Sequence, residues 1–109
     1  DSLKERITNI LDNFEFNINS LGYSYLIECI QLCFEDLNYI KDFENLLYPQ
    51  VANIYHITNS SKIKWAIEKS INSMFRYTKT ETLKSFFPNA KKLSPKSFIK
   101  KIIDLLSKN

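Results

Sequence analysis

The sequence predicts an all-α protein, a compact bundle of about six to seven helices. The chain of 109 residues has one glycine and three prolines, and this scarcity of turn formers disfavours an all-β fold, which needs many tight turns. Hydrophobic residues make up 44% and aromatic residues 14% of the chain, which is typical of a packed core and not of a disordered chain. We therefore expect residues 1–109 to form a single domain.

Four helices are predicted in the first half of the chain. Ser2-x-x-Glu5 has the spacing of a capping box, in which two side chains satisfy the free amide groups at a helix start. Tyr48-Pro49 indicates another helix start, because proline is tolerated in the first turn. Apolar residues at intervals of three and four follow each start, and an Asn-rich loop at 17–20 separates the first two stripes. The predicted helices span about 2–14, 21–37, 39–46 and 48–56.

Three more helices are predicted in the second half. The run Thr58 to Ser61 supplies side chains that accept hydrogen bonds at a helix N-cap. Thr78-x-x-Glu81 is a second capping box, and Ser94-Pro95 marks the last helix start. An apolar stripe follows each of these starts. The predicted helices span about 60–76, 78–87 and 95–106.

Charge is divided unevenly between the two halves. Residues 1–55 contain three Lys/Arg and nine Asp/Glu, a net charge of −6, whereas residues 56–109 contain twelve Lys/Arg and three Asp/Glu, a net charge of +9. Such a division favours a polyanionic partner for the second half, although lysines on a solvated surface give the same count. No apolar run approaches the roughly 18–20 residues of a membrane span, so we expect no membrane association.

Two of the predicted helices have the spacing of a helix-turn-helix within 47–76. The helices at 48–56 and 60–76 are separated only by Ile57–Asn59. In this motif the first helix braces the second, the recognition helix, which enters the major groove of DNA, about 12 Å wide. A helical wheel of 60–76 separates an apolar face from a face that carries cations, an amide and a tryptophan. We therefore predict double-stranded DNA as the partner.

Ten residues form the predicted DNA-binding site. Lysine neutralises phosphates and also reaches guanine edges, and the short polar side chains before the helix position it on the backbone. Glu68 can accept from a cytosine amino group, or it repels phosphate. The groove-facing residues are Lys62, Lys64, Trp65, Glu68 and Lys69, and the phosphate contacts are Thr58, Asn59, Ser60, Ser61 and Arg76.

Trp65 lies at the centre of the predicted free face and leaves several interpretations open. It could stack on bases or sugars, contact a thymine methyl group, or anchor a protein partner. A neighbouring loop or a terminal segment could also cover it. The alternative function is therefore a protein-interaction module that has lost DNA binding and presents Trp65 to its partner.

No enzyme or metal site is predicted. Structural zinc needs about four ligands, and Cys29 and Cys33 fall on an apolar stripe, with the single histidine, His56, on another element. No nucleophile, base and orienting group can be matched by spacing, and there is no glycine-rich phosphate loop. We expect no catalysis, no cofactor and no small-molecule substrate, and two cysteines without a disulfide pattern favour a reduced, cytoplasmic location.

Several motifs resemble the C-terminal effector domain of the stage-zero sporulation response regulators of bacilli and clostridia. The similarity runs over nearly the whole chain, and the central motifs together are specific although no single one is. The run Thr58 to Ile71 follows the register of that family's recognition helix. The other matching motifs are Gly22-Tyr23-Ser24-Tyr25-Leu26, Leu47-Tyr48-Pro49-Gln50-Val51-Ala52, Ser85-Phe86 and Ser97-Phe98-Ile99.

The resemblance implies a two-component output domain. Members of the family are all-α, contain a helix-turn-helix, follow a phosphoacceptor receiver domain, bind DNA often as tandem copies, and contact RNA polymerase. By this resemblance the chain is a transcription regulator of the bacterial nucleoid, acting as tandem copies or a homodimer, and any phosphorylated aspartate would lie upstream of Asp1.

The same comparison shows departures at the positions that contact bases. The family's recognition helix reads approximately Ser-Arg-Val-Glu-Arg-Ala-Ile-Arg-His. Its first two arginines are replaced by Lys62 and Trp65, its glutamate by Lys64 and its later arginine by Glu68. Arginine forks to guanine with two hydrogen bonds, whereas lysine is a point charge. The resemblance therefore implies the same fold with an altered or relaxed site preference.

Overall fold

The computed structural model describes residues 2–108, and the domain limits at 1 and 109 lie outside them. Within these residues the regular structure is entirely helical, as the sequence predicts, and no helix is long and apolar enough to cross a membrane. The seven α-helices and one π-helical segment are α1 (Leu3–Leu11), α2 (Leu21–Glu35), α3 (Asn38–Lys41), the π-helical segment (Phe43–Leu47), α4 (Tyr48–Ile54), α5 (Ser61–Tyr77), α6 (Thr80–Phe86) and α7 (Pro95–Ser107).

Two of the predicted helix caps are confirmed. The backbone N–H of Glu5 donates to Ser2 Oγ at 3.1 Å, which is the N-cap bond of a capping box, and the Ser2 hydroxyl donates to Glu5 Oε1 at 3.1 Å. At the start of α7 the backbone N–H of Ser97 donates to Ser94 Oγ at 3.1 Å. Each cap satisfies an amide group that has no partner inside the helix.

The capping box predicted at Thr78-x-x-Glu81 is wrong. Thr78 is the C-cap of α5, and α6 begins two residues later after Lys79, which makes no side-chain capping bond. Thr78 is buried because its Oγ1 accepts a hydrogen bond from the backbone N–H of Glu15 at 2.9 Å. A contact between positions so far apart in the chain outweighs the local pattern, and it ties the end of α5 to the segment after α1.

Two predicted helices are shorter than their apolar stripes. α1 ends at Leu11 and not near Phe14, although Phe14 remains buried because turns carry it back against the core. α2 ends at Glu35, so Leu37 lies beyond the helix and is exposed.

The single helix predicted at 39–46 is two elements. α3 ends at Lys41, and Asp42 then caps the π-helical segment by accepting from the backbone N–H and the side-chain amide of Asn45, both at 3.0 Å. These hydrogen bonds, the backbone one first, lower the pKa of Asp42. The wider π-helical turn places Leu47 and Tyr48 in the core at the start of α4.

α2 lies at the centre of the core and packs against α1, α5 and α7. The buried hydrophobic side chains form one continuous cluster. Cys29 and Cys33 are both free and fully buried in it, as the stripe predicts. Burial raises the pKa of the Cys33 thiol to about 12, so this thiol stays protonated and unreactive at neutral pH.

Gly22 lets the backbone of α2 approach the backbone of α5. A Cβ atom at this position would lie 2.3 Å from the carbonyl oxygen of Ala66 and 2.9 Å from the Cβ of Ser70. Both distances are shorter than van der Waals contact, and the first obstacle is main chain that cannot rotate away. The single glycine of the chain is therefore required because a side chain would not fit here, and it sets how closely α5 packs against α2.

The turn between α4 and α5 is set by His56, which has a left-handed backbone with φ 58°. Its N–H donates to the carbonyl of Asn53 at 3.2 Å, and the N–H of Ile57 donates to the carbonyl of Ala52 at 2.8 Å. This pair of hydrogen bonds is a Schellman motif, which usually has glycine at the left-handed position. The helix predicted at 48–56 is therefore shorter than expected: α4 ends at Ile54, and His56 lies in the turn after it.

We expect Gly22→Ala to destabilise the protein by about 1–3 kcal/mol, because the methyl group forces α2 and α5 apart. At an unobstructed helical position the same change stabilises by roughly 0.5–1 kcal/mol, so the sign of the effect is diagnostic. Urea unfolding followed by circular dichroism measures it. Ser24→Ala on the same helix is the control, and a stabilised Gly22→Ala variant would contradict the close approach.

We expect His56→Gly to stabilise the protein by about 1 kcal/mol, since glycine adopts the left-handed conformation without the Cβ penalty. The measurement is the free energy of unfolding in urea. His56→Ala keeps the Cβ and serves as the control, with a change within about 0.5 kcal/mol. Equal stability of the two variants would show that the left-handed turn carries no strain.

Candidate nucleic-acid interface

One face of α5 is buried in the core. Four side chains on this face are fully buried because they recur at intervals of three and four along the helix. Ala66, Ser70 and Phe75, which the helical wheel also places inward, are half-buried at its edges. The fully buried residues are Ile63, Ile67, Ile71 and Met74.

The opposite face of α5 is free, as the wheel predicts. Trp65 lies at its centre with 69% of its surface exposed, so no loop within residues 2–108 covers it. The alternative that a neighbouring loop covers Trp65 is therefore wrong. The other exposed residues of this face are Lys62, Lys69, Asn72 and Arg76.

Trp65 and Lys69 form a local pair one helical turn apart. The Nζ of Lys69 lies 5.9 Å from the centre of the indole ring, within the range of a cation–π contact. At such an exposed site the contact contributes roughly 0.5–1 kcal/mol. It limits the positions that the two long side chains adopt and keeps a positive charge beside the indole.

Lys64 is held by an acid from outside the predicted site. Its Nζ lies 2.8 Å from Oε1 of Glu44, which belongs to the π-helical segment. The hydrogen bond that Lys64 donates to Glu44 is the main cause that raises the pKa of Lys64, followed by the charge of the same carboxylate, and Glu68 adds to it. Glu68 itself is half-buried on the same side of α5. Lys64 therefore contributes little net charge to the free face.

The predicted phosphate contacts at the start of α5 have different local roles. The Asn59 side-chain oxygen accepts from both the backbone N–H, at 3.0 Å, and the hydroxyl of Ser61. Ser60 occupies the N-cap position but makes no side-chain capping bond. Thr58 and Asn59 are exposed beside it. The cap that the sequence predicts is therefore supplied by Asn59, and the whole run lies at the N-terminal end of the free face.

A cleft of about 770 Å³ separates α5 from the segment that enters α7. On the α5 side it is lined by Lys69 and Arg76, and on the other side by Lys92 and Ser94. Among residues 2–108, none of these three cations has an ion-pair partner. The cleft therefore gives the free face of α5 a second cationic wall.

Lys92 and Ser94 are absent from the site that the sequence predicts. Lys92 contributes to the positive charge of the second half, but nothing in the spacing relates it to Arg76. The two positions meet because α7 packs against α2 and α5. A charge count shows Lys92 only as one of many lysines, so the tertiary structure is needed to place it in the site.

Trp65 is the only tryptophan, so its fluorescence tests the exposure of the free face. We expect emission at long wavelength, with stronger quenching by iodide than by caesium, because nearby cations attract the anion and repel the cation. Lys69→Ala should reduce the difference between the two quenchers, and free N-acetyltryptophanamide gives the uncharged reference. Emission at short wavelength with weak quenching by both ions would show that Trp65 is covered.

A comparison with known protein families identifies one match. A family model described as "Sporulation initiation factor Spo0A C terminal" matches residues 7–109. The matched range includes every motif on which the resemblance rests, from Gly22 in α2 to Ile99 in α7. The resemblance found in the motifs is confirmed.

Proposed function

This chain belongs to the Spo0A C-terminal family, the DNA-binding output domains of sporulation response regulators, and from this membership we propose that it is a transcription regulator that inserts α5 into the major groove of DNA. The family is regulatory and not catalytic. The observation that carries the proposal is the free face of α5, where exposed cations surround Trp65.

The arrangement of α4 and α5 supports groove insertion. α4 packs against α5 and against the π-helical segment, so it braces α5 from the protein side. Because the buried face of α5 is confined to four apolar positions, the remaining side is available to enter a groove of about 12 Å. We propose that these two helices act as a helix-turn-helix, with Thr58, Ser60 and the N-terminal end of α5 against one phosphate strand.

We assign the phosphate backbone of the other DNA strand to the cleft beside α5. Arg76 and Lys92 both line it, and Ser94 adds a hydroxyl donor. Contacts of this kind position the helix without recognising sequence. Lys62 and Lys69 complete the cationic border of the free face, so phosphate contact is their first role in this proposal.

The site preference is proposed to be altered or relaxed relative to the family. Lys62 replaces an arginine that would fork to guanine, and the typical discrimination lost with such a contact is about 1–3 kcal/mol. Lys64 replaces a glutamate, and its Nζ forms an ion pair with Oε1 of Glu44 at 2.8 Å. Glu68 stands where the family has another arginine and adds a negative charge beside the groove. Together these changes remove guanine-specific contacts while the buried positions of α5 stay apolar.

The resemblance also supports proposals about partners. We infer that the chain binds DNA as tandem copies or as a homodimer, that it contacts RNA polymerase, and that it acts on the nucleoid. The residues assigned to DNA occupy one face of α5 and its two flanks, which leaves the acidic first half of the chain for protein contacts.

A protein-interaction function is the second candidate, and the exposure of Trp65 favours it. Trp65 and the exposed Leu21 border the same groove of about 410 Å³, which Ala66 also lines. Large exposed aromatic residues are typical anchors of protein interfaces. If this surface binds a protein and not DNA, Trp65→Ala abolishes capture of the partner and leaves any affinity for DNA nearly unchanged.

The salt dependence of DNA binding tests the main proposal. The logarithm of the affinity for random duplex should fall steeply and linearly with the logarithm of the salt concentration. We expect Lys62→Ala combined with Lys69→Ala to reduce the slope by about two, because each phosphate contact contributes about 0.9. Lys92→Ala alone should reduce it by about one. Fluorescence anisotropy of a labelled duplex gives the slopes.

The matched control is Lys84→Ala combined with Lys100→Ala. Both lysines are exposed and belong to the same basic half, but neither lines the cleft or the free face of α5. This pair removes the same charge and should change the slope by much less than two. Equal slopes for the two double variants would assign binding to net charge alone, and no binding at low salt would refute the proposed function.

A further inference from the structure

We propose that Trp65 makes this domain recognise thymine, by packing its indole ring against the C5-methyl group in the major groove. This inference rests on the proposed function, because it requires α5 to enter the groove. It assigns to Trp65 a specificity role in place of the guanine contact that an arginine would make at the same position.

The position of Trp65 brings it close to base edges. With 69% of its surface exposed, it protrudes from the middle of the free face. Lys62 and Lys69 lie about one turn before and one turn after Trp65 on α5, both exposed, and phosphates attract such cations. Both lysines are rotated to the same side of Trp65, by roughly 40–60°, whereas Trp65 lies opposite the buried face of α5 and is therefore directed at the floor of the groove when the helix enters it.

The chemistry of the indole ring selects among the four bases. Guanine presents two acceptors, cytosine an amino donor, and adenine an acceptor and a donor, whereas thymine presents one acceptor and the only apolar group on the groove floor. Tryptophan has a broad apolar surface and a single N–H donor. Thymine matches both features, while the other bases would lose hydration under the ring without full compensation.

The surroundings of Trp65 supply an apolar shelf on one side. The groove of about 410 Å³ beside Trp65 is bordered by the exposed Leu21 and by Ala66. Lys69 lines the same groove and keeps its charge 5.9 Å from the ring centre. A methyl group that enters between the ring and the shelf is removed from water on more than one side, which increases the apolar area buried.

The experiment compares thymine with uracil, which differs only by the missing methyl group. Preferred sites are first selected from a random duplex pool with the wild-type protein, and each thymine of the selected duplex is then replaced singly by deoxyuridine. At one position per bound domain we expect the affinity to fall about fourfold, the effect of leaving one methyl group unburied. At the same position, 5-methylcytosine should bind more tightly than cytosine.

Variants of Trp65 decide which residue senses the methyl group. Trp65→Ala should bind thymine and uracil duplexes equally, because the apolar partner is gone. Trp65→Arg should also lose the difference and prefer guanine at this position, since arginine forks to its two acceptors. Tyr77→Ala removes another exposed aromatic residue of α5 and should keep the fourfold difference. Both Trp65 variants should fold, because the side chain lies outside the core.

The outcomes separate this inference from the proposed function. Salt-dependent binding with no uracil-sensitive position would overturn the thymine contact and leave DNA binding intact. A uracil effect that persists in Trp65→Ala would also overturn it, because another residue would then contact the methyl group. Absence of binding to any duplex at low salt would overturn the proposed function, and this inference with it.

Discussion

α2 crosses α5 where residue 22 has no side chain, and the main chain of Ala66 occupies the space that a Cβ would need. This contact sets the distance between the central helix of the core and the helix that carries the candidate site. Because α2 also packs against α1 and α7, a change in this distance would be passed to most of the molecule. The orientation of Trp65 on α5 therefore depends on the absence of a Cβ atom at residue 22 of α2.

The ends of α5 are fixed by different means. At its start, Asn59 accepts two hydrogen bonds from Ser61, and the Lys64–Glu44 ion pair connects the first turns to the π-helical segment. At its end, Thr78 caps the helix and accepts from the backbone of Glu15. An exposed ion pair alone stabilises little. Together with the apolar face, however, these contacts make α5 a rigid support for the side chains on its free side.

The sequence is sufficient for the all-helical class, for the approximate places of most helices and for the orientation of α5, because these follow from apolar periodicity and from side chains that cap a helix locally. The sequence is insufficient where a residue far away in the chain determines a helix end or the partner of a side chain. Thr78 has the local pattern of a helix start, but a partner far along the chain makes it a helix end. Lys64 belongs to the predicted groove face, yet Glu44 engages it. Lys92 joins the site through the packing of α7, which no spacing rule describes.

α5 contributes to both the core and the free face, but it does so with different side chains. The four fully buried residues hold the helix, whereas Lys62, Trp65 and Lys69 project into solvent and contribute little to folding. Substitution at the exposed positions is thus nearly free of a stability penalty. A duplicated copy of such a domain can exchange its target in a few mutational steps, each of which leaves a folded protein. Regulators with this fold can in this way come to control separate sets of genes. No loss of stability has to be compensated along the way.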